Sequence, residues 1–524
     1  LARGTGFTPD TVISFGGEPL IDASVLDSEL ITGILPPNSA GYVDIAASDG
    51  FSDDTIVQGF LYFDPASAYG GVWGEAIDGA VNVTVIDAST GDRIPDAVVL
   101  AFSLSDELLA NDTTNENGQV TLSNPSVRPP LNITVAADGF EANTVEDVQV
   151  ENVTVLLASS AMGSGSPPSV VPAQLSGTIT GLDALPKPVQ ETFVNVILVN
   201  TSHSTHFNRT RYPDPGPGAM LFEDGPFTMP ALPSELAVIA TAGQLPRALL
   251  EQYQAGQLDY WTMRRDFIPI SMGMRRFISA APGDSIENLD IVLDHPMDNT
   301  IPIDLDNPPS GQPGPQFYAV LPRINLGPEG FWELDTVALD FRPNLNLERM
   351  PSLNGWGNEV SFFMIGYAFT NTADNTPNSI SMLDTRDVEN GVFISPFVAA
   401  PVIRSPINGG RLSESRRVVW DLQPGYDTNE IVEPSATLVL IEKPGLFGPE
   451  PLWRYIVPPG VTQVELPDLP PEAGESGLVD GPMILTVLPF LIEGDNFDFD
   501  SFTLFDISQG RWDSWSTAIV NFQR

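Results

Sequence analysis

A chain of 524 residues exceeds what one hydrophobic core organises and implies about four or five domains of ordinary size. Acidic residues outnumber basic ones 68 to 23, giving a net charge of −45 and a pI of about 4.1, which excludes nucleic acid and anionic lipid as general partners. With no cysteine there is no disulfide, thiolate metal site or covalently attached haem, and no apolar run approaches the roughly 18–20 residues that span a bilayer. A hydrophobic content of 42% and a mean hydropathy of +0.02 suffice for real cores. Prolines (49) and glycines (45) punctuate the apolar runs instead of forming tracts, as in an all-β chain with many tight turns.

Residues 1–65 carry Gly4-Thr-Gly-Phe7, Val12-Ile-Ser-Phe15, Gly16-Gly17, Pro36-Pro37, Gly41–Ile45 and Gly59–Phe63 in order. This set resembles the IPT/TIG immunoglobulin-like domain and implies that fold. The family's opening strand, with its Pro…Gly-Gly-Thr pattern, has no counterpart ahead of Gly4, so the expectation is a fragment of a longer protein.

Residues 71–158 read as a small antiparallel sandwich: β-branched runs at Asn82–Ile86, Ala97–Phe102, Gln119–Leu122, Leu131–Ala136 and Val150–Leu157, separated by Gly, Pro, Asn and Asp. Thr90-Gly91, Ile94-Pro95, Asn117-Gly118 and Asp138-Gly-Phe140 make the stretch resemble the carboxypeptidase-regulatory-like, transthyretin-like module of bacterial surface proteins. That resemblance implies a fold and a location outside the cell, not an activity. The stretch has no lysine, since the chain's two are Lys187 and Lys443, so a Lys–Asn isopeptide staple cannot form in it.

The small, flexible and then proline-stiffened segment 159–173 is a linker. Residues 174–307 replay the module with insertions, a divergent internal repeat. Within it, Leu249, Leu250, Tyr253 and Leu258 follow Pro246 at roughly helical spacing, predicting one short helical insertion near 245–260. Arg264, Arg265, Arg275 and Arg276 form a basic island beside it. Arginine's planar fork pairs bidentately with carboxylates, so the island is expected to dock on an acidic face of a neighbouring domain or of another copy, against the plainer alternative of local ion pairing.

Residues 316–398 alternate as a further sandwich. Residues 399–524, through Pro401–Pro406, Val418–Trp420, Trp453–Val457 and Val464–Pro467, resemble a fibronectin-type-III-like sandwich. The fold class expected is all-β: tandem immunoglobulin-like and transthyretin-like sandwiches with one short helical insertion.

Chemistry is sparse. Histidines number three, and His203-x-x-His206 lacks the glutamate that zinc peptidases require. Neither a nucleophile elbow nor a phosphate-cradling glycine loop occurs. The six Asn-x-Ser/Thr sequons (Asn82, Asn111, Asn132, Asn152, Asn200, Asn208) follow from an Asn- and Thr-rich composition. Calcium is the ion that acidic turns would take: Asp495, Asp498 and Asp500 first, then Asp53-Asp54 and Asp112…Glu116, with a plain solvated surface as the alternative. The C-terminal rings (Phe497, Phe499, Phe502, Phe505, Trp512, Trp515, Phe522) suit a sandwich core, or stacking on sugars.

The expected function is that of a non-enzymatic, secreted or cell-surface structural or adhesive protein of a bacterium. Its partners would be other surface proteins, glycans or copies of itself, with no nucleic acid and no cofactor besides calcium. Two alternatives stay open: a carbohydrate-binding accessory region of a larger extracellular enzyme, and a subunit of a self-assembling filament or surface layer.

Overall fold

A computed structural model describes the chain apart from residues 1, 4–5, 26–27, 29, 37, 39–40, 51–52, 63–70, 160–170, 189–191, 203–217, 310–316, 358, 370–377, 426–427, 429, 446–447, 475, 493–496, 505 and 508–511. The protein is all-β, with two short α-helices among the described residues, and divides into two units.

The first unit takes in Leu1–Val135, Val148–Ala158 and Asp500–Asp506. At its start, Val12–Phe15 turns into Glu18–Pro19 through Gly16 and Gly17, both at positive φ, as a two-residue hairpin demands. Gly41–Ser48 and Asp53–Tyr62 complete that sheet. A second sheet pairs Ala2–Arg3 and Ile21–Val25 with Leu30–Ile34. Ile13, Phe15 and Ile31 make the core, with Phe60 set edge-on to Phe15 at 5.2 Å.

In the module that follows, Ala80–Asp87 is the central strand of its sheet. It runs antiparallel to Gln119–Ser123 and parallel to Val150–Leu157, whose far side pairs with Val72–Ala76. Val98–Ser103 pairs with Leu108–Thr113 in the facing sheet. The turn residues act locally. Asp87 Oδ1 accepts the Ser89 N–H at 2.7 Å, Gly91 follows at positive φ, and Thr114 Oγ1 ties Ile94 O to the Ala97 N–H. At Gly118 a Cβ would lie 2.7 Å from Val85 O, so only glycine fits.

The second unit takes in Ala136–Asp147, Ser159–Phe499 and Ile507–Arg524. Ala173–Thr180 runs antiparallel to Gly225–Ala231 and parallel to Ser285–Ile286 and Ile291–Val292, the same arrangement as around Ala80–Asp87. In the facing sheet Phe193–Thr201 pairs with Ala219–Leu221 and with Glu235–Pro246, and the latter pairs with Ile268–Ser279. Between those last two strands sit α1 (Arg247–Gln254) and α2 (Tyr260–Arg264), so the helical insertion runs four residues past 260. Leu245, Leu250, Tyr260, Met263 and Phe267 pack with Val196 and Leu198 beneath it. Gly256 at positive φ follows the end of α1, and Asp259 caps α2 through the Thr262 N–H at 2.9 Å.

The facing sheet does not stop at the module. Ile268–Ser279 pairs with His295–Leu305, which pairs in turn with Asn344–Pro351 and Val392–Ile394. Leu236, Val238 and Ala240 enter the module's own core, whereas Ala237, Ile239 and Met272 enter the core of the 316–398 sandwich. Period-two alternation thus makes this sheet the middle of three layers. A second continuous sheet runs, strand by strand, through Ala142–Val148, Gly448–Val457, Ala436–Gly445, Pro482–Leu491, Ser514–Gln523, Asn378–Thr385, Ser361–Phe369, Phe317–Asn325 and Phe331–Glu333. Ala400–Ser405, Arg417–Gln423 and Gln463–Glu465 form a separate three-stranded sheet, and Trp420, Trp453, Tyr455 and Phe522 are among the chain's fully buried side chains.

Candidate functional site

The basic island of the sequence is not one patch. Arg265 and Arg275 are exposed, whereas Arg264 is buried and Arg276 is largely so, in two separate ion-pair clusters on the 316–398 sandwich.

Arg276 owes its place to a bulge. Leu236 pairs with Ile278 and Val238 with Arg275, so two residues, Arg276 and Phe277, oppose one. Phe277 accordingly sits at φ 59°, a strained value for a bulky residue. The extra residue switches faces: Met272 and Met274 pack on the neighbouring sandwich's core, and Ile278 packs on the module's own. Arg276 stays on the neighbour's side, where all five of its N–H donors are used. Nε and Nη2 donate to Glu329 Oε2, Nη1 donates to Trp356 O and Glu359 Oε1 at 2.7 Å each, and Nη2 also donates to Leu326 O at 3.1 Å. Glu329 Oε1 takes the Phe277 N–H at 2.7 Å, and the exposed Phe277 ring stacks over the guanidinium at 4.5 Å. Ser202 Oγ donates to Glu329 O and accepts the Ala237 N–H, adding a neutral tie at the same junction.

Arg264, at the end of α2, pairs through Nε with the buried Asp335, donates from Nη2 to Glu333 O at 2.7 Å, and lies 5.3 Å over the Trp332 ring. Burial works against its charge, but Asp335, Tyr260 and Glu333 outweigh it and hold the guanidinium above its ordinary pKa. Burial pushes the Asp335 carboxyl up, with Arg264 pulling against it. Nearby, the Trp356 indole N–H donates to His295 Nε2 at 2.6 Å with the rings edge-to-face. The arrangement is a clamp, directional and largely buried, with Glu359 at its half-exposed edge.

The other predicted residues scatter. Asp495, His203, His206, Asn208 and Phe505 lie outside the described residues. Asp498 and Asp500 are exposed, the latter in the single-turn helix Phe499–Ser501. Among the described residues no three His, Asp or Glu side chains gather to hold a metal. Most of the described C-terminal rings are packed: Phe497, Phe499, Trp512 and Trp515 close over Phe490 and Leu488, and Phe522 is fully buried. Glu329, Asp335 and Glu359 have no sequence signature, because any carboxylate in so acidic a chain could have been the partner.

Residues 80–159 match the model of the Carboxypeptidase regulatory-like domain, well under half of the chain. No curated protein matches in sequence. Among solved structures, the TIE protein of Bacillus anthracis aligns at 9% identity over 75% of this chain and 66% of its own, just under two thirds of its length, with a TM-score of 0.13. The shaft pilin SpaA of Lactobacillus rhamnosus GG aligns at 10% identity over 41% of this chain and 96% of its own, TM-score 0.12. The major pilin subunit of Bacillus cereus aligns at 8% over 60% and 99%, TM-score 0.13. Similarity at this level assigns neither partner nor activity.

Proposed function

We propose that this chain is a non-enzymatic structural or adhesive component of a cell exterior, with the IPT/TIG-type sandwich at residues 1–65 and the fibronectin-type-III-like one at 399–524 as further modules of the array. The observation that carries the reading is how its second unit is joined. Two sheets run without a break from one sandwich into the next, and the clamp of Arg264 and Arg276 fills the corner between the repeat module and the 316–398 sandwich. A continuous hydrogen-bonded sheet resists bending where a flexible linker would not. Stiffness across domain borders serves a part that spaces or bears load. The regulatory-like module at 80–159 supports the setting, and a charge of −45 keeps such a protein dispersed. Among the described residues no helix is long and apolar enough to cross a membrane.

Immunogold labelling and protease shaving of intact cells test the proposal. Label on the outer surface and release of fragments by protease are expected; label confined to the cell interior would refute it.

A further inference from the structure

The outer face of the second unit's long sheet breaks the rule that an antiparallel sheet turns its polar side to water. Strand register places Phe490, Trp515, Ile380, Tyr367, Ala319 and Leu339 in one row across six neighbouring strands, hence on one face. At one end the row is closed: Phe490 is fully buried beneath Trp512, with Phe497 and Phe499 packed alongside. At the other end none of the described residues covers it. Leu339 is 62% exposed, and the adjacent Phe341 and Phe317 are 82% and 37% exposed. The outward side chains of Phe317, Ala319, Leu321, Ile365, Tyr367 and Phe369 are uncharged in a chain of net charge −45. The exposed Asp340 stands at the patch's edge, and the Arg323–Glu333 pair lies farther along the face.

We infer that this bare aromatic end, centred on Phe317, Leu339, Phe341, Tyr367 and Phe369, is where a second copy of this chain docks, face to face. Three observations select that occupant. Phe369 stacks on Phe317 at 4.4 Å and on Tyr367 at 5.6 Å, with planes within 18°, so these rings spend their faces on one another and present edges. Ring edges suit other aromatic rings and not the flat face of a sugar. The closed end of the same row shows what covers it: an aromatic segment of this same chain. Finally, two copies of so acidic a protein approach most readily across a surface poor in carboxylates, and a two-fold axis brings this patch onto itself.

The contact therefore has a signature opposite to that of an ion-pair interface. Salt shortens the reach of the −45 to −45 repulsion, from about 10 Å at 0.1 M to about 3 Å at 1 M, and leaves apolar burial intact. The proposal rests on the surface-structural reading only for its setting, and localisation and self-association are measured separately. Sedimentation velocity on the full chain, at about 0.1 and about 2 M NaCl, is the test. A dimer is expected whose dissociation constant tightens about tenfold or more with salt, while the Leu339→Lys/Phe341→Lys variant stays monomeric in both with an unchanged melting curve. A wild type monomeric at both salts, or a variant that dimerises like wild type, overturns the inference. So does a monomeric wild type that is retained on immobilised polysaccharide through these two residues, which would make the face a sugar site.

Discussion

The 316–398 sandwich meets its surroundings in two opposite ways. On the side of the repeat module, buried charges lock it: Arg276 with five satisfied donors and Arg264 against Asp335. On the outer face of the same strands, around Phe317 to Leu321 and Ile365 to Phe369, the outward side chains are uncharged and rings stand partly exposed, the Arg323–Glu333 pair lying farther along. A buried ion pair adds little net stability against an apolar isostere, but a mismatched partner leaves a charge stranded, so it dictates one geometry. Apolar burial is strong and undirected, so it drives contact without dictating its register. The charged side is built as a fixed joint, the aromatic side as a surface awaiting cover.

The largest effect that can break this contrast is at Glu329. Glu329→Ala strands a buried guanidinium and frees the Phe277 N–H, and should cost about 3–5 kcal/mol in chemical denaturation. Arg276→Met combined with Glu329→Leu should recover most of that, since it removes both charges at similar volume. Equal losses in the single and double variants would show that packing, not charge, holds the joint. Asp335→Ala should cost about 3 kcal/mol for the same reason, and about 2 M salt should leave that cost nearly unchanged because the pair is dry. Arg404–Asp421, with both side chains about half exposed, supplies the control: removing Asp421 should change stability by at most about 1 kcal/mol.

Smaller still, Leu339→Lys and Phe341→Lys should alter stability by no more than about 0.5 kcal/mol each, because neither side chain is packed. A larger loss would make the ring face a core and not a free surface. The smallest effect lies at the wet edge of the joint. The Glu359 carboxyl is held below its ordinary 4.5, first by its own backbone N–H and then by Arg276. A depressed folded-state pKa stabilises above the unfolded value, and that contribution fades as pH falls through the folded one. Glu359→Gln should therefore melt slightly below wild type at pH 7, with the gap closing as pH drops below 4.5. A gap that persists in acid would assign the loss to hydrogen-bond geometry and not to charge.

Much of this was legible beforehand, and for local reasons. The hairpin glycines Gly16-Gly17, the Asp87 turn and Gly118 announce themselves because each requirement is met within a few residues or by the absence of a Cβ. The helical insertion was legible from the spacing of Leu249, Leu250 and Tyr253 after a proline, although Tyr260–Arg264 continues it as a second turn fixed by Asp259. The arginines were legible as residues with unfinished business. Their separation was not, because Arg275 and Arg276 are adjacent in the chain and their difference lies in a bulge opposite Ala237.

The sequence by itself therefore determined the all-β class, many of the strands and the turns, since period-two patterning and turn chemistry act over short stretches of chain. Only the tertiary structure decided that His295–Leu305 would join two sandwiches, that Glu329 and Asp335 would receive the arginines, and that Tyr367 and Leu339 would share one outer row. Those outcomes depend on pairings between residues tens of positions apart. A strand's free N–H and C=O groups have no preference among partners until the two apolar faces around them are buried.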